Sequence, residues 1–293
     1  MAGSAGSRRE AGRTPPRSGD RLTTLRLTVE YDGTEFCGFQ WQPAARTVAG
    51  TLEAALSKLL DEPVKVAGAG RTDSGVHATG QVVSLATGRS FPFERMAAAL
   101  NSELPADLSI REATIVPEGF SARFAARERT YLYAIFNRRE RSAVLARQAY
   151  HVPHRIDLAA MRAAAEHLVG ERDFRSFCGV LPDAGGTVRC VRRLAIEDAG
   201  CLLRVEIAAG GFLHHMVRTI VGTLVDCAGG RRDPGELPAV LAAGDRAAAG
   251  PTAPAHGLYL AGVRYDDGYD SFAEPPVFGR GAPALLDGGR AFP

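Results

Sequence analysis

Hydrophobic and polar positions alternate where patterning begins: Leu25, Leu27, Val29 and Tyr31 are separated by Arg26, Thr28 and Glu30. A period of two sets one face of a strand against a core, and Asp32-Gly33-Thr34 ends it. From Thr47 the period changes. Leu52, Leu56 and Leu59 recur at helical spacing behind a threonine suited to an N-cap, with Gly50 a weak point in the first turns. Two β-rich runs follow, Val64 to Ala69 and Gln81 to Leu85. A helix over Pro92 to Leu100 and a strand over Leu108 to Val116 complete the first half.

The same order then returns without the same sequence. Arg129 to Asn137 reads as a strand, and Leu158, Met161, Ala165 and Leu168 define one helical face. Val188 to Ile196 and Cys201 to Ile207 pair about Gly200, the second alternating Leu203, Val205 and Ile207 with Leu202, Arg204 and Glu206. Leu213 to Ala228 is a helix with an apolar side, a short helix lies near Pro238, and Leu258 to Tyr265 closes the unit as a strand. Each half is β-α-β-β-α-β, the order of a ferredoxin-like unit. The fold class that follows is α+β: two ferredoxin-like halves share a large mixed, mostly antiparallel sheet, with a central cleft for a substrate.

Composition changes the picture at the ends. Residues 1–21 are rich in Gly, Ser, Pro and Arg with almost no large apolar side chains, the composition of a disordered basic tail. Residues 268–293 turn Gly- and Pro-rich again and read as a flexible tail. Between them lie an N-terminal α+β domain, 22–118, and a C-terminal one, 119–267.

At 293 residues, 45% hydrophobic and 23% charged, the chain is that of a soluble globular protein. No apolar run approaches the roughly 18 residues of a membrane span, and no secretory signal is visible. Five cysteines, Cys37, Cys178, Cys190, Cys201 and Cys227, form no C-x-x-C pair, which fits reduced thiols in a cytoplasmic protein better than disulfides or zinc.

Net charge of +2 is too small to announce a nucleic-acid partner. Lys58 and Lys65 are the only lysines, so the base is arginine. Arg123, Arg127, Arg129, Arg138, Arg139, Arg141 and Arg147 cluster in one segment, a surface able to follow a phosphate backbone or simply a solvated charged face.

The candidate chemistry sits in Gly70-Arg71-Thr72-Asp73-Ser74-Gly75-Val76-His77-Ala78, between two strand-like runs. Asp-Ser-Gly alone would be an ordinary turn in which Asp bonds its own backbone. The full nine-residue run resembles the catalytic motif of the tRNA pseudouridine synthase A family, and the resemblance extends from Leu25 to Asp266. Tyr31-Asp32-Gly33-Thr34 with Gly38 and Gln42 looks like that family's N-terminal loop. Ala122-Arg123-Phe124 and Arg129-Thr130-Tyr131-Leu132-Tyr133 look like its central strand. Phe212-Leu213-His214-His215-Met216-Val217-Arg218 with Ile220-Val221-Gly222 looks like its C-terminal helix, and Gly257-Leu258-Tyr259-Leu260 like its final strand. Phe39, Trp41 and Ser121 depart from the usual residues.

The resemblance implies that Asp73 is the catalytic aspartate, that Tyr131 lies against the target base, that Arg71 guides or replaces the extruded base, and that Arg218 pairs with Asp73. Leu258 belongs with them in binding substrate. It implies isomerisation of uridine to pseudouridine at positions 38 to 40 of the tRNA anticodon stem-loop, by a homodimer. No electrons are transferred and no second substrate enters, so no cofactor is implied. His214 and His215 raise a metal site, set aside because adjacent side chains on a helix diverge; His77 reads as a loop-fixing residue. Two rivals stay open: a carboxylate-based glycoside or nucleoside hydrolase, which normally needs a second acid, and an RNA-binding module without catalysis.

Overall fold

The computed structural model describes residues 22–278. The expected N-terminal tail therefore lies outside the described residues, as do residues 279–293. In chain order the elements are β1 (Thr23–Tyr31), α1 (Val48–Leu60), β2 (Ala67–Gly68), β3 (His77–Thr87), α2 (Met96–Asn101), β4 (Leu108–Val116), β5 (Glu128–Asn137), β6 (Tyr150–Val152), α3 (Leu158–Glu166), β7 (Gly170–Asp173), β8 (Val188–Ala199), β9 (Leu202–Ala209), α4 (Met216–Ala228), α5 (Leu237–Ala243), β10 (Leu258–Arg264) and β11 (Ser271–Phe272).

All the described strands join one sheet in the order β4-β1-β3-β10-β5-β9-β8-β7, with β2 on β3, β6 on β5 and β11 on β10. In the N-terminal half the order is β4-β1-β3 with β2 outermost. In the C-terminal half it is β10-β5-β9-β8. Numbered within each half, both read fourth, first, third, second, the ferredoxin-like arrangement expected from the alternating patterns. The halves meet where β10 pairs parallel to β3, with Tyr259 opposite His77 and Leu260 opposite Ala78.

That junction depends on a shared strand edge. β2 pairs with β3 only at Val83 and Ser84, and β10 takes the same edge lower down. A β-strand can serve only one neighbour at each point of an edge, so β2 and β10 must diverge. Gln81, fully buried, sits at the parting: its Nε2 donates to Gly70 O (2.8 Å) and its Oε1 accepts from Gly70 N–H (3.2 Å), replacing the missing ladder bonds. Close by, a Cβ on Gly80 would lie 2.1 Å from Ala261 O, so only glycine lets β10 approach this far.

Helix and sheet share one continuous core. Leu25, Leu27 and Val29 of β1 pack with Leu52 and Leu56 of α1, and the same cluster runs on through Tyr131, Tyr133 and Ile135 of β5 to Ile220 and Leu224 of α4. The intervening β5 positions, Ala134 and Phe136, belong to a second, smaller cluster with Leu202, Tyr259 and Val277 on the opposite face. On the N-terminal half, that opposite face is closed by the fully buried Arg26, whose guanidinium donates to Tyr269 O (3.0 Å), Asp270 O (3.1 Å) and Glu112 Oε2 (2.9 Å).

Four expectations need correction. β2 is two residues long rather than spanning Val64 to Ala69, because Val64 and Val66 donate their N–H groups to Ser57 Oγ and Glu53 Oε1 of α1 rather than to a strand. β3 begins at His77, so His77 and Ala78 are strand, not loop. α4 starts at Met216 rather than Leu213, because His215 adopts φ +60 and cannot continue a helix backwards. The segment 268–278 is not a free tail: β11 pairs with β10 and Val277 is buried. Gly/Pro-rich composition hid this because most of its anchoring is made by backbone atoms.

Candidate active site

Residues 69–76 connect β2 to β3 and are pinned along most of their length. Ala69 N–H donates to Val82 O (2.8 Å), and Gly70 is held by Gln81. Thr72 shares a 2.8 Å hydroxyl–hydroxyl bond with Tyr31, and its carbonyl accepts from Phe39 N–H (3.0 Å). Ser74 Oγ donates to Phe36 O (3.2 Å). The segment after β1 is thus the floor of this loop, which explains its glycines: Gly38 has φ +85, and a Cβ there would sit 2.9 Å from Thr72 O.

With its backbone fixed in this way, Asp73 aims its carboxylate out of the turn. Oδ2 accepts from Arg218 Nη1 at 3.1 Å, while Arg218 Nε donates to Ala253 O at 2.8 Å. The Asp73 side chain is 23% exposed and that of Arg218 15%, so the pair is half-dry, not sealed. His215 Nε2 stands 3.5 Å from the same oxygen. Burial pushes the His215 pKa down, and the charges of His214, Arg218 and Arg246 add to this against the pull of Asp73, so the ring is neutral near pH 7.

Tyr131 on β5 is buried, with its ring edge-on to Phe212 at 5.2 Å. Burial raises its pKa, reinforced by Tyr31 and Asp73, so the phenol keeps its proton. Asp73, Arg71, Tyr131, Arg218 and Leu258, all five residues singled out from the sequence, line one cavity of about 560 Å³. They come from both halves: Arg71 and Asp73 from the β2–β3 loop, Tyr131 from β5, Arg218 from α4 and Leu258 from β10.

A family profile described as "tRNA pseudouridine synthase" matches residues 27–125 and 164–266. The chain belongs to the tRNA pseudouridine synthase family. It is 42% identical over 244 residues to tRNA pseudouridine synthase A of Caldicellulosiruptor bescii, covering 83% of this chain and 100% of that one. It is 43% identical over 245 residues to tRNA pseudouridine synthase A of Bacillus subtilis, covering 83% and 99%. Among solved structures, the archaeal box H/ACA sRNP Nop10-Cbf5 complex covers 69% of this chain and 43% of the other, at 14% identity and a TM-score of 0.32, a likeness too slight to add to the assignment.

In this member of the tRNA pseudouridine synthase family the cavity wall contains groups that pattern reading passed over. Arg129 donates to Ala69 O twice (2.9 and 3.0 Å), to Arg123 O (2.7 Å), to Gly210 O (2.7 Å) and to Ala126 O (3.2 Å). One guanidinium thereby ties the catalytic-type loop, the segment before β5 and the turn before α4 into a single frame. In the sequence Arg129 stands only as one arginine of a basic segment, able to follow a phosphate backbone or simply solvated. Arg71, Arg123, Arg129 and Arg189 all line the cavity, and among the described residues none has a carboxylate partner. Their uncompensated charge suits a polyanion.

The reason for setting metal aside also changes. His214 and His215 precede the helix, their rings stack at 3.7 Å, and their nitrogens lie with an Asp73 oxygen within 4.8 Å of one another. Such a cluster could geometrically hold a cation. The surrounding Arg218, Arg71 and Arg129 charges oppose one. His77 does fix structure: its Nδ1 accepts from Gly33 N–H (3.1 Å), its Nε2 bonds Arg147 O (2.9 Å), and its ring stacks on Tyr259 at 4.8 Å.

Proposed function

We propose that this chain isomerises uridine to pseudouridine in tRNA, with Asp73 as the catalytic carboxylate. The observation that carries the reading is the Asp73–Arg218 pair in the lining of a cavity whose other arginines have no carboxylate partner among the described residues, in a member of this family. Isomerisation breaks the N1–C1′ bond, turns the uracil, joins C5 to C1′ and moves a proton from C5 to N1. A carboxylate at the sugar can attack covalently or stabilise positive charge developing at C1′. Asp73 is presented for this, because its own turn makes no use of its side chain.

The glycosidic bond of a stacked nucleotide is shielded, so the uridine leaves the stack to enter the cavity. Tyr131 and Leu258 then bracket the uracil, the neutral phenol offering a hydroxyl rather than a charge. Arg71, exposed and unpaired at the rim, guides the base inward. Arg218 holds the carboxylate in place. None of these steps transfers electrons, so the chemistry calls for no cofactor.

The substrate proposed is the anticodon stem-loop, and the acting unit a homodimer whose arginine-lined surfaces follow the phosphate backbone. Cytoplasmic action is part of the same proposal, and among the described residues no helix is long and apolar enough to cross a membrane. Tritium release from C5-labelled uridine in a tRNA transcript tests the reading. Release with retention of uracil in the chain supports it. Free uracil would mark a hydrolase, and binding without either product an inactive module.

A further inference from the structure

The segment from Ser121 to Arg127 leads into β5 along the cavity mouth, and its backbone is tied down unusually well for a connection. Ala122 N–H donates to Ser84 Oγ (3.0 Å), and its carbonyl accepts from the buried Tyr265 hydroxyl (2.9 Å). Ala125 N–H donates to Ser121 O (2.9 Å), while Arg129 holds the carbonyls of Arg123 and Ala126. What this rigid backbone presents is Phe124, which lines the cavity yet is 79% exposed.

Isolated exposed apolar side chains are ordinary and need no explanation. Phe124 differs in two respects. It stands at the mouth of the cavity that holds Asp73, and the Arg123 guanidinium lies over its ring, 5.3 Å from the centroid, with no carboxylate partner among the described residues. Aromatic rings and guanidinium planes are the surfaces on which unpaired bases stack, and neither needs a particular base. Extruding a uridine also strips a stacking partner from the nucleotide beside it.

We infer that Arg123 and Phe124 form a stacking platform for the nucleobase adjacent to the extruded uridine. The inference rests on the function proposed above and adds a second RNA contact to it. Phe124 supplies the face that the departed uridine leaves bare, and Arg123 supplies charge to the neighbouring phosphate. Fixing the backbone through Arg129 keeps the platform in register with Asp73, so docking of the neighbour and entry of the uridine are one event.

The test uses the full chain in an Asp73→Asn background for binding and with Asp73 intact for turnover. The probe is a tRNA transcript that the parent converts, with 2-aminopurine placed on one side or the other of the converted uridine. Phe124→Ala is expected to weaken binding about tenfold, the worth of one base stack, with no change in melting temperature. It should abolish the 2-aminopurine quenching seen with the parent at one of the two placements. Phe124→Trp should restore both, and Arg123→Met should lower the slope of log K against log salt by about one. Unchanged affinity and unchanged quenching in Phe124→Ala, with the parent turning over normally, would overturn the platform alone and leave the ring to a protein partner. A parent that releases no tritium from any tRNA would overturn the underlying function, and the platform with it.

Discussion

In the C-terminal half the second and third strands of the ferredoxin-like unit, β8 and β9, are joined by residues 200–201, with Gly200 at φ +75 closing a plain hairpin. In the N-terminal half the equivalent strands, β2 and β3, are joined by residues 69–76, which carry Asp73. β8 runs for twelve residues and β2 for two. One topology has therefore been used as a support in one half and as a presenting device in the other. Shortening β2 is what makes this possible: it frees the lower edge of β3 for β10, joins the halves and leaves a gap into which the loop projects. The proposed catalytic groups gather at that seam, where strand pairing is incomplete but the loop backbone is held along most of its length.

On the proposed reading the reacting carboxylate comes from the N-terminal half and most of its surroundings from the other. Asp73→Asn should therefore have the largest effect, abolishing tritium release while leaving tRNA affinity within a few-fold, since affinity rests on many phosphate contacts. Measurable turnover by the purified variant would remove Asp73 from its role. Next comes the parting of the strands. Gln81→Leu keeps the bulk but strips the N–H and carbonyl of half-buried Gly70 of their partner, at up to roughly 1 to 3 kcal/mol for each group that water does not reach. Urea unfolding should show a loss of about 3 kcal/mol, and the turnover number should fall with it. A fully stable, fully active variant would mean that Gln81 merely fills space.

Much of this arrangement was legible in the sequence. Alternation in Leu25 to Tyr31 and in Leu203 to Ile207 reflects half-buried strands, and the matching order of elements in both halves led directly to the paired topology. The Asp73 motif, Tyr131 and Arg218 were recognisable as a set. What stayed hidden depends on backbone atoms or on unusual φ. Leu213 keeps helical spacing with Val217, so nothing in the pattern announces that His215 breaks the helix at φ +60. Arg129 acts entirely on carbonyls, which no residue pattern records. The same holds for Tyr269 and Asp270, which receive Arg26 through their carbonyls in a stretch whose composition reads as a tail.

That last contact gives a smaller test of how the N-terminal half depends on the far end of the chain. Ending the chain at Asp267 should lower the melting temperature by several degrees, because Arg26 would be left buried without two of its acceptors. Ending it at Phe278 should not. If both truncations melt like the parent, Arg26 is satisfied by Glu112 alone.

The smallest effect concerns pH. Burial is the main cause lowering the pKa of His77, His154, His215 and His256 from the ordinary 6.5. Below that value the unfolded chain takes up protons that the folded one refuses, so stability falls as pH drops from about 6.5 toward the lowered values and is regained as pH rises. His77 lies at the junction of the halves. His77→Gln should be less stable than the parent at pH 7.5 but should lose less on acidification to pH 5. Parallel pH profiles for the two proteins would show that His77 does not titrate in this range.

The central claim is that the site is composite, with a carboxylate from one half held by a cation from the other. Arg218→Met under single turnover, with affinity and melting measured alongside, tests it most directly. Methionine can occupy the space of the aliphatic stem but cannot hold the Asp73 carboxylate. The account predicts a fall in rate of about a hundredfold or more with tRNA affinity nearly unchanged. Stability should drop by less than the roughly 3 to 5 kcal/mol expected for a fully buried pair, because the cavity lets water reach Asp73. A folded variant that turns over as fast as the parent would contradict it.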